Sequence, residues 1–316
     1  MPTVLLLTGA TGFLGRHLAP TLLQTYGASS LVNVSSRDGD LMDRRAADAL
    51  LKKWRPEVVV HLAAYSGGIG ANQTFPADFY YRNTMLTAHM FDAAARLGVR
   101  KLIYTMGGCS YPARASSPIG EDQLWQGYPQ PESAGYSTAK MMGTVASRCY
   151  RAQYNLNSIV LIPGNMYGEW DNFRKDESHV VPAMIRRYFE AQRARQREVV
   201  MWGSGAPERD FVYAADVAAC VPFFIDGYDS SEPVNVSTGT RVSIRTLAET
   251  IADIVGFEGR IEWDTTKPDG QMAKIFDTSR LEGLGLSCRT TLRAGLKKTI
   301  DWFAINYDSR SDGLRM

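Results

Sequence analysis

Residues 3–15 read TVLLLTGATGFLG: a short apolar run, a loop with glycine at positions 9, 12 and 15, and the start of a helical pattern that continues through Leu23. Glycine permits a tight turn and lets the backbone approach a pyrophosphate, whose charge is then met by free N–H groups at the helix start. The stretch Gly9-Ala-Thr11-Gly12-Phe13-Leu14-Gly15 is therefore a candidate dinucleotide site. Its spacing differs by one residue from the commonest fingerprint, and three glycines alone are a weak signal. The order strand, loop, helix is what gives them weight.

The chain repeats that order. SLVNVSS (30–36) precedes a helix of about Arg44 to Trp54, and VVVHLAA (58–64) precedes a long helix near Asp78 to Leu97. KLIYTM (101–106) and NSIVLIP (157–163) continue the series, with a helix carrying Tyr136 between them. Such alternation indicates a parallel sheet covered on both faces. After about residue 170 the pattern loosens into a basic helix, HVVPAMIRRYFEAQRARQR (179–197), and shorter pieces. We expect an α/β protein: a Rossmann-type doubly wound sheet in residues 1–170, and a smaller C-terminal α/β substrate-binding lobe in 171–316, some of whose segments return to the first domain.

Composition narrows the function. Lys plus Arg number 35 and Asp plus Glu 33, and a net charge of +2 fits neither a nucleic-acid coat nor a membrane surface. An anionic ligand would need a local basic pocket. Cys109, Cys149, Cys220 and Cys288 are widely spaced without a CxxC pair, so neither a zinc site nor a disulfide framework is indicated, and a reducing cytoplasm fits best. No apolar run approaches the roughly 20 residues that span a bilayer, and the opening MPTVLLL lacks the basic leader of an export signal.

Two further motifs carry chemistry. The second strand runs into Ser35-Ser36-Arg37, and an arginine among hydroxyls suits the extra phosphate of NADP better than the free ribose of NAD. Asp40-Leu41, just beyond, is placed to meet the adenine. Tyr136-Ser-Thr-Ala-Lys140 puts a phenol and an ammonium on one helical face. A phenol with an ordinary pKa of about 10 is a sluggish acid-base group, and a neighbouring cation improves it.

With these residues the sequence resembles the extended short-chain dehydrogenase/reductases, in which Tyr136 and Lys140 would be the catalytic pair. The segments HLAAYSGGIGANQTFPADFYYRN (61–83), CSYP (109–112), PGNMYGEWDNF (163–173), SHVVPAMIRR (178–187), VMWGSGAPERDFVYAADVA (200–218), VNVSTG (234–239) and KPDG (267–270) resemble, in order, those of the GDP-fucose synthase family. That resemblance implies epimerisation at carbons 3 and 5 of a GDP-linked 4-keto-6-deoxy-hexose and NADPH-dependent reduction at carbon 4. It places the epimerising acid-base pair at Cys109 and His179, and adds Ala63, Pro163, Asn165 and His179 to the cofactor surface. Arg187 and Arg209 fall near the diphosphate, and Trp202, Asn165 and Asp269 beside the sugar or guanine. A homodimer built on the Asp78–Leu97 and Tyr136 helices is also implied.

One departure bears on mechanism. The family commonly reads Ser-Ser-Cys where this chain has Gly107-Gly108-Cys109, and Lys-Val where it has Tyr65-Ser66. The missing serine would bind the substrate ketone, and loss of one preorganised donor costs on the order of 10² to 10³ in rate. A water, Thr105, Ser110 or Ser66 could replace it; Thr105 lies about 6.6 Å back along the strand, which favours water. The glycines could instead admit a bulkier sugar such as a heptose, or mark an enzyme reduced to C4 reduction or 3,5-epimerisation alone. A non-catalytic NADP-binding protein is the remaining alternative.

Overall fold

In a computed structural model that describes residues 4–175 and 177–309, the apolar runs become the strands of one parallel sheet. Thr3 of the first run and the last seven residues of the expected C-terminal lobe lie outside the described residues. The first half runs β1 (Leu5–Thr8), α1 (Phe13–Tyr26), β2 (Leu31–Val34), α2 (Arg44–Trp54), β3 (Val58–His61), α3 (Ile69–Thr74), α4 (Pro76–Arg96), β4 (Lys101–Thr105), α5 (Ala134–Tyr154) and β5 (Asn157–Pro163). There follow β6 (Asn165–Tyr167), α6 (Val180–Arg193), β7 (Glu198–Trp202), β8 (Glu208–Arg209), β9 (Phe211–Tyr213), α7 (Ala214–Asp226) and β10 (Val234–Val236). The chain ends with β11 (Val242–Ser243), α8 (Ile244–Val255), β12 (Arg260–Asp264), β13 (Ala273–Lys274), α9 (Ser279–Gly283) and α10 (Leu292–Tyr307).

The six-stranded sheet has the order β10-β5-β4-β3-β1-β2. Successive side chains of a strand face opposite ways, and here both faces are apolar. Leu5, Leu7, Val58, Val60, Ile103 and Ile159 pack beneath α1 and α7, while Leu6, Val59, Leu102, Tyr104 and Val160 pack against α2, α4 and α5. This is why the strands read as continuous apolar runs. The strand order reverses between β1 and β3, and the crevice beyond their C-terminal ends is where such sheets bind ligands.

The C-terminal half contributes to that sheet. β10 pairs in parallel with β5, and α7 lies on α1. A second core gathers Phe173, Tyr188, Leu247 and Phe303 between α6, α8 and α10. Lys101 opens β4 at 2% exposure because its ammonium donates to the carbonyls of Phe224, Ile225 and Tyr228, the acceptors left over at the C-terminal end of α7. Cys220 and Cys288, distant in sequence, are free thiols brought together in the core beneath the sheet. Asp216 at the start of α7 accepts from the N–H and hydroxyl of Thr290, which brings the segment carrying Cys288 alongside the next turn of the helix.

Lys140 is positioned by a close crossing of α5 and β4. A Cβ at Gly143 would overlap the ring of Tyr104, whose hydroxyl donates to the Lys140 carbonyl and shares a hydrogen bond with Thr87 of α4. Gly143→Ala is therefore expected to lower stability by about 1–3 kcal/mol, the usual effect of overpacking, read as a lower urea midpoint.

Candidate active site

The glycine loop is shaped by two close approaches. Gly9 has φ +69°, and a Cβ there would stand 2.8 Å from the Ala63 nitrogen, so the end of β1 is pressed against the end of β3. Gly15, inside α1, meets the Gly9 carbonyl and Ala10 where any side chain would overlap. Gly12 caps α1, leaving the first-turn N–H groups of Phe13, Leu14 and Gly15 outside the helix ladder at the sheet's C-terminal edge. Thr11 is exposed and accepts from Arg16 Nε through its carbonyl. A helix terminus with a side-chain-free approach fits a pyrophosphate.

At the end of β2 a residue passed over in the sequence organises the loop. The Asp38 carboxylate accepts from the N–H and hydroxyl of Ser35, bonds that hold it below the usual carboxylate range, and the Ser35 hydroxyl accepts from the Arg37 N–H. Arg37 is presented to solvent from this turn. Asp40 accepts from the Met42 N–H, and Leu41 is buried beside it, its carbonyl meeting His89.

Tyr136 and Lys140 lie on α5 facing the end of β4. Lys140 is 2% exposed and stands over the Tyr104 ring, 4.1 Å from its centre, and burial pulls its pKa down to about 7. Burial pushes Tyr136 the other way, above its ordinary value, with the charge of Cys109 adding to the effect. The lysine does not offset that burial, contrary to the expectation that a nearby cation improves the phenol; the site keeps Tyr136 protonated. Behind them is His61, which sequence reading missed: Thr8 Oγ1 accepts from the Ala63 N–H and bonds His61 Nδ1 at 2.8 Å. Burial and Lys140 lower His61 to about 3, so it forms a neutral wall.

Gly107 to Ser110 depart from a simple strand end. β4 stops at Thr105, and Gly108–Ser110 form a single 3₁₀ turn, Ser110 N–H bonding to the Gly107 carbonyl. The turn swings Cys109 across Gly107. A Cβ on Gly107 would lie 3.1 Å from Cys109 Sγ and 3.8 Å from Tyr136 Oη, so thiol and phenol share the space a serine would use. Ser110 points away and donates to the Ser137 carbonyl, while Ser66 is exposed on the turn after β3. Gly108 is bare for another reason: the ring of Phe276 occupies the place of its side chain.

His179 arrives from a different wall. It precedes α6 without its side chain capping that helix, and the residues just before it rest on Gly68, whose N–H donates to the Glu177 carbonyl. The same loop carries Tyr65, packed on Phe79, which in turn meets Tyr136 edge-on. Pro163 ends β5, and the Asn165 amide donates to the Asp210 carbonyl. The lobe residues gather along one rim at the end of β7. Arg187 donates to the Val200 carbonyl, Trp202 is 71% exposed with Lys267 5.8 Å away, and Arg209 bonds the carbonyls of Glu208 and Gln271. Asp269 has both carboxylate oxygens on Ser204, which makes it the clasp of that rim.

A doubly wound sheet with a glycine loop and a Tyr-Lys helix defines a dinucleotide-dependent oxidoreductase class, and the chain belongs to the NAD dependent epimerase/dehydratase family, which it matches over residues 5–237. Its relatives within that family are more particular. It is 38% identical to GDP-L-fucose synthase 1 of Arabidopsis thaliana, across 96% of this chain and 93% of that one. It is 37% identical to the GDP-L-fucose synthase of Escherichia coli (strain K12), across 96% and 97%. A GDP-L-fucose synthetase from Naegleria fowleri bound to NADP matches the structure with a TM-score of 0.90 at 29% identity, across 99% of this chain and 96% of that one.

Burial of Lys140 has a measurable consequence. Its pKa is about 7 in the folded protein and about 10.4 in an unfolded chain, so between those values the unfolded state binds more protons and stability rises with pH. Lys140→Met, which removes this term, is expected to be more stable than the parent at about pH 6 by on the order of a few kcal/mol. Urea unfolding of the ligand-free proteins should show the gap closing toward about pH 10.

Proposed function

We propose that the protein converts a GDP-linked 4-keto-6-deoxy-hexose by inverting carbons 3 and 5 and reducing the ketone at carbon 4, with NADPH as cofactor. The observation that carries this reading is the meeting of Cys109 Sγ and Tyr136 Oη over Gly107, with Lys140 buried on the same helix. The Phe13–Gly15 N–H groups, Ala63, Pro163 and Arg37 would hold NADPH, and the bound cofactor would supply hydride to carbon 4. Arg37, presented beside the hydroxyls of the Ser35 turn, supports NADPH over NADH.

Carbons 3 and 5 flank the ketone, so removing a proton from either places negative charge on the carbonyl oxygen. Tyr136, kept protonated by burial, donates to that oxygen and so stabilises the enolate. Inversion needs proton removal on one face and return on the other, which calls for two groups on separate walls. Cys109 on the 3₁₀ turn and His179 before α6 meet that requirement. In the reductive step Tyr136 gives its proton to the oxygen, and Lys140 faces the phenolate left behind. Arg187 and Arg209 meet the diphosphate, and Trp202 offers a flat apolar surface at the rim. Assembly follows the helices: α4 and α5 leave Tyr80, Tyr81, Met142 and Val145 exposed, and two subunits pair across them.

The bulkier-sugar reading is less well supported, because the space beside Gly107 is taken by the Cys109 thiol rather than left open. Incubation with GDP-4-keto-6-deoxymannose in deuterated water should give exchange at carbons 3 and 5, and NADPH absorbance should fall; absence of both signals rejects the proposal. Gly107→Ser, whose Cβ would crowd the thiol at 3.1 Å, is expected to slow exchange more than it slows reduction. Equal effects on both would mean that the thiol does not transfer the protons.

A further inference from the structure

Asn72 is the buried residue of α3, 6% exposed, and the mechanism above gives it no task. Its side-chain amide donates to two carbonyls in the turn before the helix, those of Gly67 and Gly68, each at 3.0 Å. Two acceptors at one end of the amide identify that end as the nitrogen. The other end, Oδ1, is enclosed and accepts no hydrogen bond from the described residues. What Asn72 does for the molecule therefore lies in the two bonds it donates, which clasp the Gly67–Gly68 turn.

That turn stands between two walls of the cleft. On one side, a Cβ at Gly67 would lie 3.2 Å from the ring of Phe79, which meets Tyr136 edge-on. On the other, the Gly68 N–H donates to the Glu177 carbonyl at 2.9 Å. A Cβ at Gly68 would stand 2.7 Å from that oxygen and 3.0 Å from the carbonyl oxygen of Ser178. Gly68 has φ −64° and ψ 178°, values open to any residue, so its glycine answers to this close approach and not to backbone freedom. His179 follows directly, and its carbonyl accepts from the Ala183 N–H in the first turn of α6. The backbone entering His179 is thus seated on Gly68, and the backbone leaving it is fixed by the helix.

We infer that Asn72 is a positioning residue for His179, acting through Gly68. Its two bonds set the Gly67–Gly68 turn, the turn seats Glu177 and Ser178, and these set where the imidazole stands relative to the Phe79–Tyr136 wall. Proton return to carbon 3 or 5 depends on a short, aligned approach, and a displacement of about 1 Å at a reacting group lowers a rate by up to about 10². Asn72 itself meets neither sugar nor cofactor in this assignment. The inference rests on the proposed role of His179 in proton transfer.

The test follows His179 directly, through the NMR ring signals of protein labelled at its four histidines, with His179→Gln assigning the signals that belong to it. Asn72→Leu should displace the His179 signals and leave those of His17 and His89 in place. In turnover it should lower kcat for deuterium incorporation at carbons 3 and 5 about tenfold, with little change in KM. Asn72→Ser keeps the bond to Gly68, because a serine hydroxyl reaches the carbonyl four residues back in a helix, and should stay within about threefold of the parent kcat. Gly68→Ala leaves Asn72 intact but pushes on the Glu177 carbonyl, and should displace the His179 signals as Asn72→Leu does. All three variants should unfold cooperatively and bind NADPH as the parent does, which separates the effect from misfolding. His179 signals unmoved in Asn72→Leu, or displaced with kcat unchanged, would overturn the inference. Displaced signals together with no exchange by the parent protein would uphold the Asn72–His179 coupling and reject the sugar instead.

Discussion

A single buried carboxylate ties the two halves of this protein together at the cleft. Asp210, wholly enclosed between β8 and β9, accepts from the N–H and hydroxyl of Thr238, the N–H of Gly239 and, at 3.4 Å, the N–H of Phe276. Its own backbone receives both Asn165 nitrogens and donates to Lys274. Burial raises its pKa above the usual carboxylate range, and these bonds oppose that rise. The loop after β10, the start of β6 and the strand leading to Phe276 thereby share one anchor. The placement of Phe276 over Gly108, and so the shape of the turn carrying Cys109, follows from that anchor.

Three buried lysines show how the same side chain serves different ends. Lys101 is saturated by carbonyls and pins α7 to the sheet. Lys140 stands over the Tyr104 ring and Lys274 lies abreast of Arg209, and burial lowers the pKa of each. The stability given up at these positions is offset by the large apolar faces of the sheet.

Much of this was legible in the residues. The glycine loop and the apolar strands are local patterns, and burial on both faces turns them into unbroken Val, Ile and Leu runs that stand out in sequence. Tyr136 and Lys140 sit four apart on a helix, so their shared face needs no tertiary knowledge. What escaped depends on distant partners. The Gly107–Gly108 pair gives no hint that β4 stops short and curls into a 3₁₀ turn, because the ring that demands it comes from residue 276. His61 looks like one more member of an apolar strand until Thr8 and Lys140 are set beside it. Asp269 sits in a stretch that resembles a ligand contact, and its carboxylate also closes a turn with Ser204, a second role that only the tertiary geometry reveals. Cys220 and Cys288, 68 positions apart, likewise meet only because Thr290 bonds Asp216.

The ring over Gly108 also couples two positions far apart in the chain. A side chain at 108 would meet Phe276 where its ring now lies, and shrinking residue 276 alone would open a void under the turn. Exchanging the two together therefore has an effect different from the sum of the two separate exchanges.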